Sequence, residues 1–287
     1  MNLRKATRKK AKMRLGLSAV SGAGKTYSAL MIAKGICGEW SKIAIIDSEN
    51  NSADLYAHLG EFNVLPIAAP FTPEKYIEAI HTCEKAGMEV IIVDSITHEW
   101  DGKGGCLEIV ESLGGKYQDW AKVTPRHQAF VDAILQSPSH MITTVRRKQD
   151  YEMIKDNNGK VKVEKSGLRE ITREGFEYEL TINLEMDTRH HATASKDRTN
   201  LFMGKPAFVP NIKTGEIIAE WCEAGEDAFE MVRPGSEWYE KVEQCETHKD
   251  LVELYNKNKS DVDGNPLLQQ LISNRRNQIN GKARNAA

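Results

Sequence analysis

The stretch LSAVSGAGKTYSAL, residues 17–30, decides the fold of this chain. A small residue, Ala19, is followed by four further positions and then by Gly24-Lys25-Thr26. In such a loop, glycines allow a tight turn whose successive backbone N–H groups point at one spot, and the following helix adds the positive end of its dipole. An apolar strand pattern precedes the loop and helical spacing follows it, which is the context that phosphate binding requires.

The loop predicts a nucleotide site in which Lys25 reaches the β- and γ-phosphates and the Thr26 hydroxyl binds Mg²⁺. Ala19 stands where a glycine is usual, and a small residue can serve there if its dihedral angles are ordinary. The alternative, a glycine-rich turn with an accidental Gly-Lys-Thr, does not account for the flanking strand and helix. The predicted nucleotide contacts are Ala19, Val20, Ser21, Gly22, Ala23, Gly24, Lys25, Thr26 and Tyr27.

Acidic residues end two further apolar runs and complete the predicted site. In VIIVDS, Asp94 ends a buried strand, where its carboxylate can hold Mg²⁺ through water. In IAIIDSE, strand alternation places Asp47 and Glu49 on the same side. We predict that Glu49 is the general base for the attacking water, the alternative being an exposed acid in a loop.

Strand and helix patterns alternate up to about residue 148, which predicts an α/β fold with a central, mostly parallel sheet covered by helices on both faces. Residues 151–165 predict a hairpin around Asn157-Asn158-Gly159, and residues 176–187 and 191–202 predict edge strands. The segment GKPAFVPNIKTGEII, residues 204–218, is turn-rich and is expected to close the domain. We expect three parts: a basic arm (1–14), a nucleotide-binding core (15–224) and a small helical appendage with a tail (225–287).

The composition fits a soluble globular protein, with 40% hydrophobic and 28% charged residues among 287. No apolar run approaches membrane-spanning length, and the basic start lacks the apolar core of a secretion signal. Five cysteines, with no pair at metal-ligand spacing, indicate free thiols in a reducing cytosol. The basic arm admits two interpretations, contact with a polyanion such as nucleic acid or a solvated tail.

With these motifs in this order, the chain resembles the RecA-like recombinase ATPases, specifically the compact phage-encoded RecA-like proteins associated with single-strand annealing. The resemblance spans roughly residues 12–205. It implies that Glu49 in IDSE is the catalytic glutamate and that Asp94 in IVDS binds the metal. It also places Thr144, in ITTVRRK, at the position of the γ-phosphate sensor. The usual residue there is Gln, so the sensor is Thr144, Arg146 or neither.

The segment SKDRT is similar to the Lys-x-Arg finger of RecA-like and DnaB-type ring ATPases, with Lys196 and Arg198 at the matching spacing. In those assemblies the two cations enter the neighbouring subunit's site and stabilise charge on the transferring phosphoryl group. The resemblance therefore implies a homo-oligomer, a ring or a filament. The alternative is an ordinary solvated strand edge.

The resemblance implies an ATPase that uses ATP and Mg²⁺, is stimulated by DNA, and promotes annealing or strand exchange on single-stranded DNA. Two segments are candidate DNA-binding loops: residues 149–173, which follow the sensor strand, and residues 97–120, which follow Asp94 and whose glycines and tryptophans, Trp100 and Trp120, suit a mobile loop. The alternative, favoured for at least one of the tryptophans, is that they anchor this segment to the core. The alternatives are a helicase-like or translocase-like motor and a nucleotide-regulated P-loop protein that does not act on DNA. The helical appendage is a candidate site for a single-strand-binding protein. The expected location is the cytoplasm of a bacterial host, without membrane contact.

Overall fold

The computed structural model of the protein describes residues 5–155, 161–225, 236–263, 268–269, 271–276 and 279. The strands are β1 (Arg14–Ala19), β2 (Ile43–Asp47), β3 (Asn63–Pro66), β4 (Val90–Asp94), β5 (His140–Lys155), β6 (Val161–Glu170), β7 (Ile182–Met186) and β8 (Ala192–Asp197). The α-helices are α1 (Lys25–Cys37), α2 (Pro73–Lys85), α3 (Thr97–Asp101), α4 (Cys106–Ser112), α5 (Trp120–Gln136), α6 (Phe176–Glu179), α7 (Ile212–Glu223), α8 (Ser236–Glu243), α9 (His248–Lys257) and α10 (Lys259–Asp263). Short 3-10 helices cover Trp40–Lys42, Ser52–Leu59 and Tyr117–Asp119.

The strands form one sheet in the order β3-β2-β4-β5-β1-β7-β8, and β6 pairs with β5. Each neighbouring pair from β3 to β7 is parallel, whereas β8 runs antiparallel to β7 and β6 antiparallel to β5. The carboxyl ends of β1, β2 and β4 therefore lie at the same edge of the sheet. The predicted α/β fold with a mostly parallel sheet is confirmed.

Two apolar layers cover the sheet, because successive residues of a strand face opposite sides. In β2, Ile43 and Ile45 pack into the layer formed with α1, whereas Ala44 and Ile46 pack into the layer formed with α2 and α5. Strands buried on both faces read as continuous apolar runs, and this is why IAII and VIIV were recognisable in the sequence.

Helices α1 and α7 cross at two glycines. A Cβ atom on Gly35 would lie 2.0 Å from the Ile212 carbonyl oxygen, and one on Gly215 would lie 2.1 Å from the Ile32 carbonyl oxygen. No side chain fits at either position, so the backbones of the two helices are in direct contact there. The helix that begins at the nucleotide loop is thus fixed against α7.

Several predicted elements differ from the structure. The segment expected to be turn-rich ends in helix α7, whose first turn is capped by the Asn211 side chain accepting from the Thr214 N–H. The predicted strand over residues 176–187 begins with helix α6 instead, and its strand part is only β7. The predicted mobile loop over residues 97–120 contains α3, α4 and a 3-10 helix. The predicted hairpin forms from β5 and β6, while its turn, Asn157-Asn158-Gly159, lies outside the described residues.

The basic arm packs on α7 from residue 8 onward. Arg8 donates to the Trp221 carbonyl at 2.5 Å and lies over that residue's ring, Lys10 pairs with Glu223 at 3.0 Å, and the Ala11 N–H donates to the Cys222 carbonyl. Neither of the two interpretations of the arm includes these contacts, which fix it to the core.

The chain divides into two compact units, residues 1–225 and residues 226–287. The second unit has helices α8, α9 and α10 around Trp238, Leu251 and Val262. Within this unit, Arg275 donates to the main-chain oxygens of Glu243 and Cys245. Among the residues that the structure describes, no helix combines the length and apolar character needed to cross a bilayer.

Candidate functional site

The phosphate loop connects β1 to α1 at the carboxyl edge of the sheet. Gly22 and Gly24 have φ angles of 81° and 83°, a left-handed conformation that side chains rarely adopt. Gly24 also has no room for a Cβ atom, which would lie 2.9 Å from Nδ1 of His190. Helix α1 begins at Lys25, so its first N–H groups face the loop.

A cavity of about 540 Å³ opens over this loop. Six of the predicted nucleotide contacts line it: Ser21, Gly22, Gly24, Lys25, Thr26 and Tyr27. Ala19, Val20 and Ala23 are not among the lining residues. The Lys25 ammonium donates to the Ala19 and Val20 carbonyls at 3.2 Å each. Its other walls come from separate parts of the chain: Ser28, Glu49, Ser52, Tyr56, Asp94, Arg146, His190 and Val209. The volume and the cationic, N–H-rich floor suit a nucleoside triphosphate.

Thr26 and Asp94 meet directly at this edge. The Thr26 hydroxyl donates to Oδ2 of Asp94 at 2.6 Å, and the Thr144 hydroxyl donates to Oδ1. Burial raises the pKa of Asp94, and these two hydrogen bonds, together with the charge of Lys25, counter the rise. A hydroxyl beside a carboxylate is a hard oxygen pair, so Thr26 and Asp94 are the residues that would hold Mg²⁺. Such an ion neutralises phosphate charge during phosphoryl transfer.

Glu49 points into the same cavity. Its Oε1 accepts from Ser95 Oγ at 3.0 Å and from Arg146 Nε at 2.9 Å, and its Oε2 accepts from Arg146 Nη2. The side chain is 19% exposed. Glu49 thus lies where a general base can reach a water molecule in the cavity, but it shares its two oxygens with a guanidinium group.

Asp47 has a different task from Glu49. Its two oxygens accept from the N–H groups of Glu49 at 2.6 Å and Ala53 at 2.9 Å, and Asn50 and Asn51 between them take left-handed φ angles of 56° and 62°. Strand alternation therefore ends at Asp47, which fixes the turn that carries Glu49 into the cavity. The prediction that both acids point to one side does not describe this turn.

Thr144 lies behind Asp94. It is fully buried, its hydroxyl bonds Asp94, and it is not among the residues that line the cavity. Arg146, two residues further along β5, does line the cavity. The assignment of Thr144 as the phosphate sensor remains a prediction, and the geometry shows that Thr144 would act through Asp94.

His190 was missed in the sequence. It lies in the turn between β7 and β8, has a φ of 67°, and its Nδ1 lies 3.0 Å from the Ala23 carbonyl. Because a carbonyl can only accept, Nδ1 carries the proton. The ring closes one side of the phosphate loop. No local sequence motif identifies His190 as a site residue. Its positive φ angle and its position beside Gly24 do identify it, and both are visible in the structure alone.

A protein-family model described as an AAA domain matches residues 11–209. The chain belongs to this family. The match covers β1 through β8 and includes the phosphate loop, so the protein is a P-loop ATPase, a nucleoside triphosphate hydrolase. No curated protein is similar enough in sequence to match the chain.

Lys196 and Arg198 lie away from this site. Lys196 is opposite Asn183, which pairs with Gly16 near the start of β1, and the Arg198 N–H donates to the Thr181 carbonyl ahead of β7. Both side chains donate to the Tyr178 carbonyl. Burial, and next the charge of Arg198, lower the pKa of Lys196. The pair is not part of its own subunit's nucleotide cavity, so its role as a finger between subunits stays a prediction.

A second cavity of about 880 Å³ lies beside the β5–β6 hairpin. Both candidate DNA-binding segments contribute to it: Trp100, Asp101 and Leu107 come from residues 97–120, and Asp150 and residues 168–173 come from residues 149–173. Arg147 and Lys148, which directly precede the second segment on β5, also line it. Asn183 and Glu185 form its wall on β7, alternating with Ile182 and Leu184, which pack towards α1. This wall is therefore the face of the sheet opposite α1.

The segment over residues 97–120 is tied down rather than free. Trp100 and Trp120 stack with ring centroids 5.5 Å apart, and Trp100 also meets the His127 ring. Beneath them, Glu99 accepts from Cys106 Sγ at 3.1 Å and from His127 Nδ1 at 3.0 Å. The side chains of Glu99, Cys106 and His127 are all buried, and their oxygen, sulfur and nitrogen atoms lie within 4.8 Å of one another. Burial raises the pKa of the Cys106 thiol, so the thiol keeps its proton and remains a hydrogen-bond donor. This triad binds α3 and α4 to α5.

Proposed function

We propose that this ATPase acts in DNA recombination: it binds single-stranded DNA as a homo-oligomer and uses ATP to promote annealing or strand exchange, as the compact RecA-like proteins that it resembles do. One observation carries the proposal. Strand β5 passes from the nucleotide cavity to the second cavity, since Arg146 lines the first and the next residues, Arg147 and Lys148, line the second.

The second cavity has features that suit a single strand. Trp100 and Tyr178 offer ring faces on which bases can stack, and Arg147, Lys148, Arg169 and Arg173 can contact phosphates. Six acidic side chains share the cavity with these cations, and Arg147 already pairs with Glu185 at 2.6 Å. Net charge therefore does not carry the proposal. It rests on stacking faces and cations placed beside the hairpin that continues from the nucleotide site.

The first test is DNA binding. We expect the protein, with a non-hydrolysable ATP analogue, to bind a fluorescent oligodeoxythymidine at low salt, and we expect Lys148→Ala to lower the salt slope of that affinity by about one phosphate contact. Lys213→Ala removes an exposed lysine on α7 that pairs with Glu216 and is the matched control, expected to bind as the wild type does. Fluorescence anisotropy at several salt concentrations measures both.

Absence of binding at low salt with nucleotide present would refute the DNA proposal and favour the nucleotide-regulated protein that does not act on DNA. Binding with annealing of complementary oligonucleotides supports it. Binding accompanied by directional displacement of a duplex strand, without annealing, would favour the translocase instead.

The proposal includes a finger acting between subunits. We expect Lys25→Ala and Arg198→Ala each to abolish hydrolysis and a mixture of the two to regain part of it, because a mixed interface joins one intact site to one intact finger. Size-exclusion chromatography with light scattering must show that mixed oligomers form. A mixture that forms oligomers but stays inactive would show that Arg198 does not act on the neighbouring site.

A further inference from the structure

Arg146 occupies a position between two anionic partners. Its Nε and Nη2 both donate to the Glu49 carboxylate, and its side chain lines the nucleotide cavity with Lys25 and Asp94. Its charge reaches the phosphate loop, because it contributes to lowering the pKa of Lys25, after burial as the main cause. The Nε–Nη2 edge of the guanidinium lies on the carboxylate, so a phosphate can take this edge only by displacing Glu49.

The main chain at Arg146 is fixed on both sides. Its N–H donates to Thr97 Oγ1 at 2.9 Å, its carbonyl accepts from the Ile171 N–H at 2.8 Å, and it pairs with Ala19 of β1. The side chain, by contrast, is 38% exposed. Any exchange of partners at this position is therefore a rotation of the side chain.

The neighbouring polar groups are less suited to such an exchange. Thr144 is fully buried and its hydroxyl is committed to Asp94. Ser95 contacts Glu49 but carries no charge to offer a phosphate. Among the residues that line the described cavity, Arg146 is the cation that is bound to the predicted general base.

We propose that Arg146 is a positioning residue that exchanges Glu49 for the terminal phosphate of the nucleotide. While its guanidinium is on Glu49, both carboxylate oxygens are occupied and the carboxylate is a poor base. When the guanidinium turns to the terminal phosphate, Glu49 keeps only the Ser95 hydroxyl and can accept a proton from water. Hydrolysis is thus coupled to the presence of the third phosphate, and ADP, which lacks it, leaves the ion pair intact.

Equilibrium binding, rather than turnover, tests this exchange. The affinities of ADP and of a non-hydrolysable ATP analogue are measured by calorimetry for the wild type, Glu49→Gln, Arg146→Ala and the double variant. ADP binding also reports whether each variant is folded. We expect Arg146→Ala to lower the affinity for the analogue by about tenfold and that for ADP by less than about twofold. Arg126→Ala, which removes an exposed arginine bound to Glu74, is the matched control and is expected to change neither.

The sign of the coupling between the two substitutions decides the mechanism. If Arg146 must leave Glu49 to reach the phosphate, Glu49→Gln tightens analogue binding more when Arg146 is present than when it is absent, by about fivefold. Simple repulsion between Glu49 and the phosphates gives the opposite order, because Arg146 screens that charge. The opposite order, or an unchanged preference for the analogue over ADP in Arg146→Ala, would overturn the proposal.

Discussion

The two edges of the sheet both hold charged side chains that are buried or half-buried, and the comparison separates function from scaffold. At the carboxyl edge, Lys25, Asp94, Glu49 and Arg146 bond to one another or to the loop around a cavity. At the amino edge, Arg14 is 7% exposed and donates to the main-chain oxygens of Met13, Leu135, Ser137 and Ser139. His140, also 7% exposed, accepts from the Met13 N–H.

The difference teaches how to interpret a buried charge. A side chain that satisfies main-chain groups away from any cavity serves the fold, because its removal leaves those groups unpaired in the interior. A side chain that shares its hydrogen bonds with other side chains at a cavity can exchange them for a ligand. Asp94, which is 2% exposed, is as buried as Arg14, so burial alone does not distinguish the two classes, whereas the presence of a cavity does.

The largest expected effect comes from the carboxyl edge. Lys25→Ala should lower the ATPase kcat by about 1,000-fold, because it removes the cation that reaches the transferring phosphate. The free energy of unfolding should remain close to that of the wild type, since Lys25 bonds only two loop carbonyls. Phosphate release assays and urea unfolding measure these quantities. Lys34→Ala, on the last turn of the same helix, is the control and should remain active.

Glu49→Gln should lower kcat by about 100-fold or more while nucleotide still binds, because the amide cannot take a proton from water. Single-turnover hydrolysis together with calorimetric binding checks both parts. Glu61→Gln changes an exposed acid that follows the 3-10 helix Ser52–Leu59, and this variant should hydrolyse ATP normally. If Glu49→Gln retained hydrolysis, another residue would be the general base, and Glu49 would not count among the functional residues of the carboxyl edge.

At the amino edge the expected effect falls on stability. Arg14→Met keeps the chain length but leaves buried carbonyls unpaired, and we expect a loss of about 3 kcal/mol in the free energy of unfolding. The kcat per folded molecule should be unchanged. Arg126→Met, which breaks an exposed pair with Glu74, should cost less than about 1 kcal/mol. A fall in kcat without a fall in stability for Arg14→Met would contradict the division between the two edges.

The smallest expected effect is a pH dependence. Burial, and then the charges of Lys12 and Arg14, lower the pKa of His140 to about 3 from 6.5. The unfolded chain therefore takes up a proton below about pH 6.5 that the folded protein does not bind, and stability falls as pH falls. Between about pH 8 and about pH 5 this costs about 2 kcal/mol.

The variant His140→Asn retains an acceptor for the Met13 N–H and should lose this pH dependence, as measured by urea unfolding across that range. His81→Asn changes an exposed histidine that pairs with Glu84 and should keep it. If both variants follow the wild-type curve, acids elsewhere account for the dependence.

The central sheet and the nucleotide loop were predictable because their causes are local. Continuous apolar runs such as IAII and VIIV mark strands buried on both faces, and two glycines with positive φ angles mark the loop. Helix α7 was not predicted because Pro206 and Pro210 are typical of turns. Pro210 lies immediately before Asn211, the residue that caps the helix, so the proline is outside the helix and does not interrupt it.

The contacts within the site were less predictable than its parts. Glu49 and Arg146 are 97 residues apart. They meet because Glu49 follows β2, Arg146 lies on β5, and only β4 separates these two strands in the sheet. Strand order depends on how all the helices pack, so no short window contains it. His190 illustrates the same limit, since its approach to Ala23 spans 167 residues.

The close crossing of α1 and α7 has a practical consequence for making the protein. The family match ends at residue 209, but α7, which begins at Ile212, supplies both the partner glycine for α1 and the docking surface for Arg8 and Lys10. A minimal expression fragment should therefore extend through Glu223. A fragment that ends at residue 209 would lack α7 and would expose the face of α1, the helix that follows the phosphate loop.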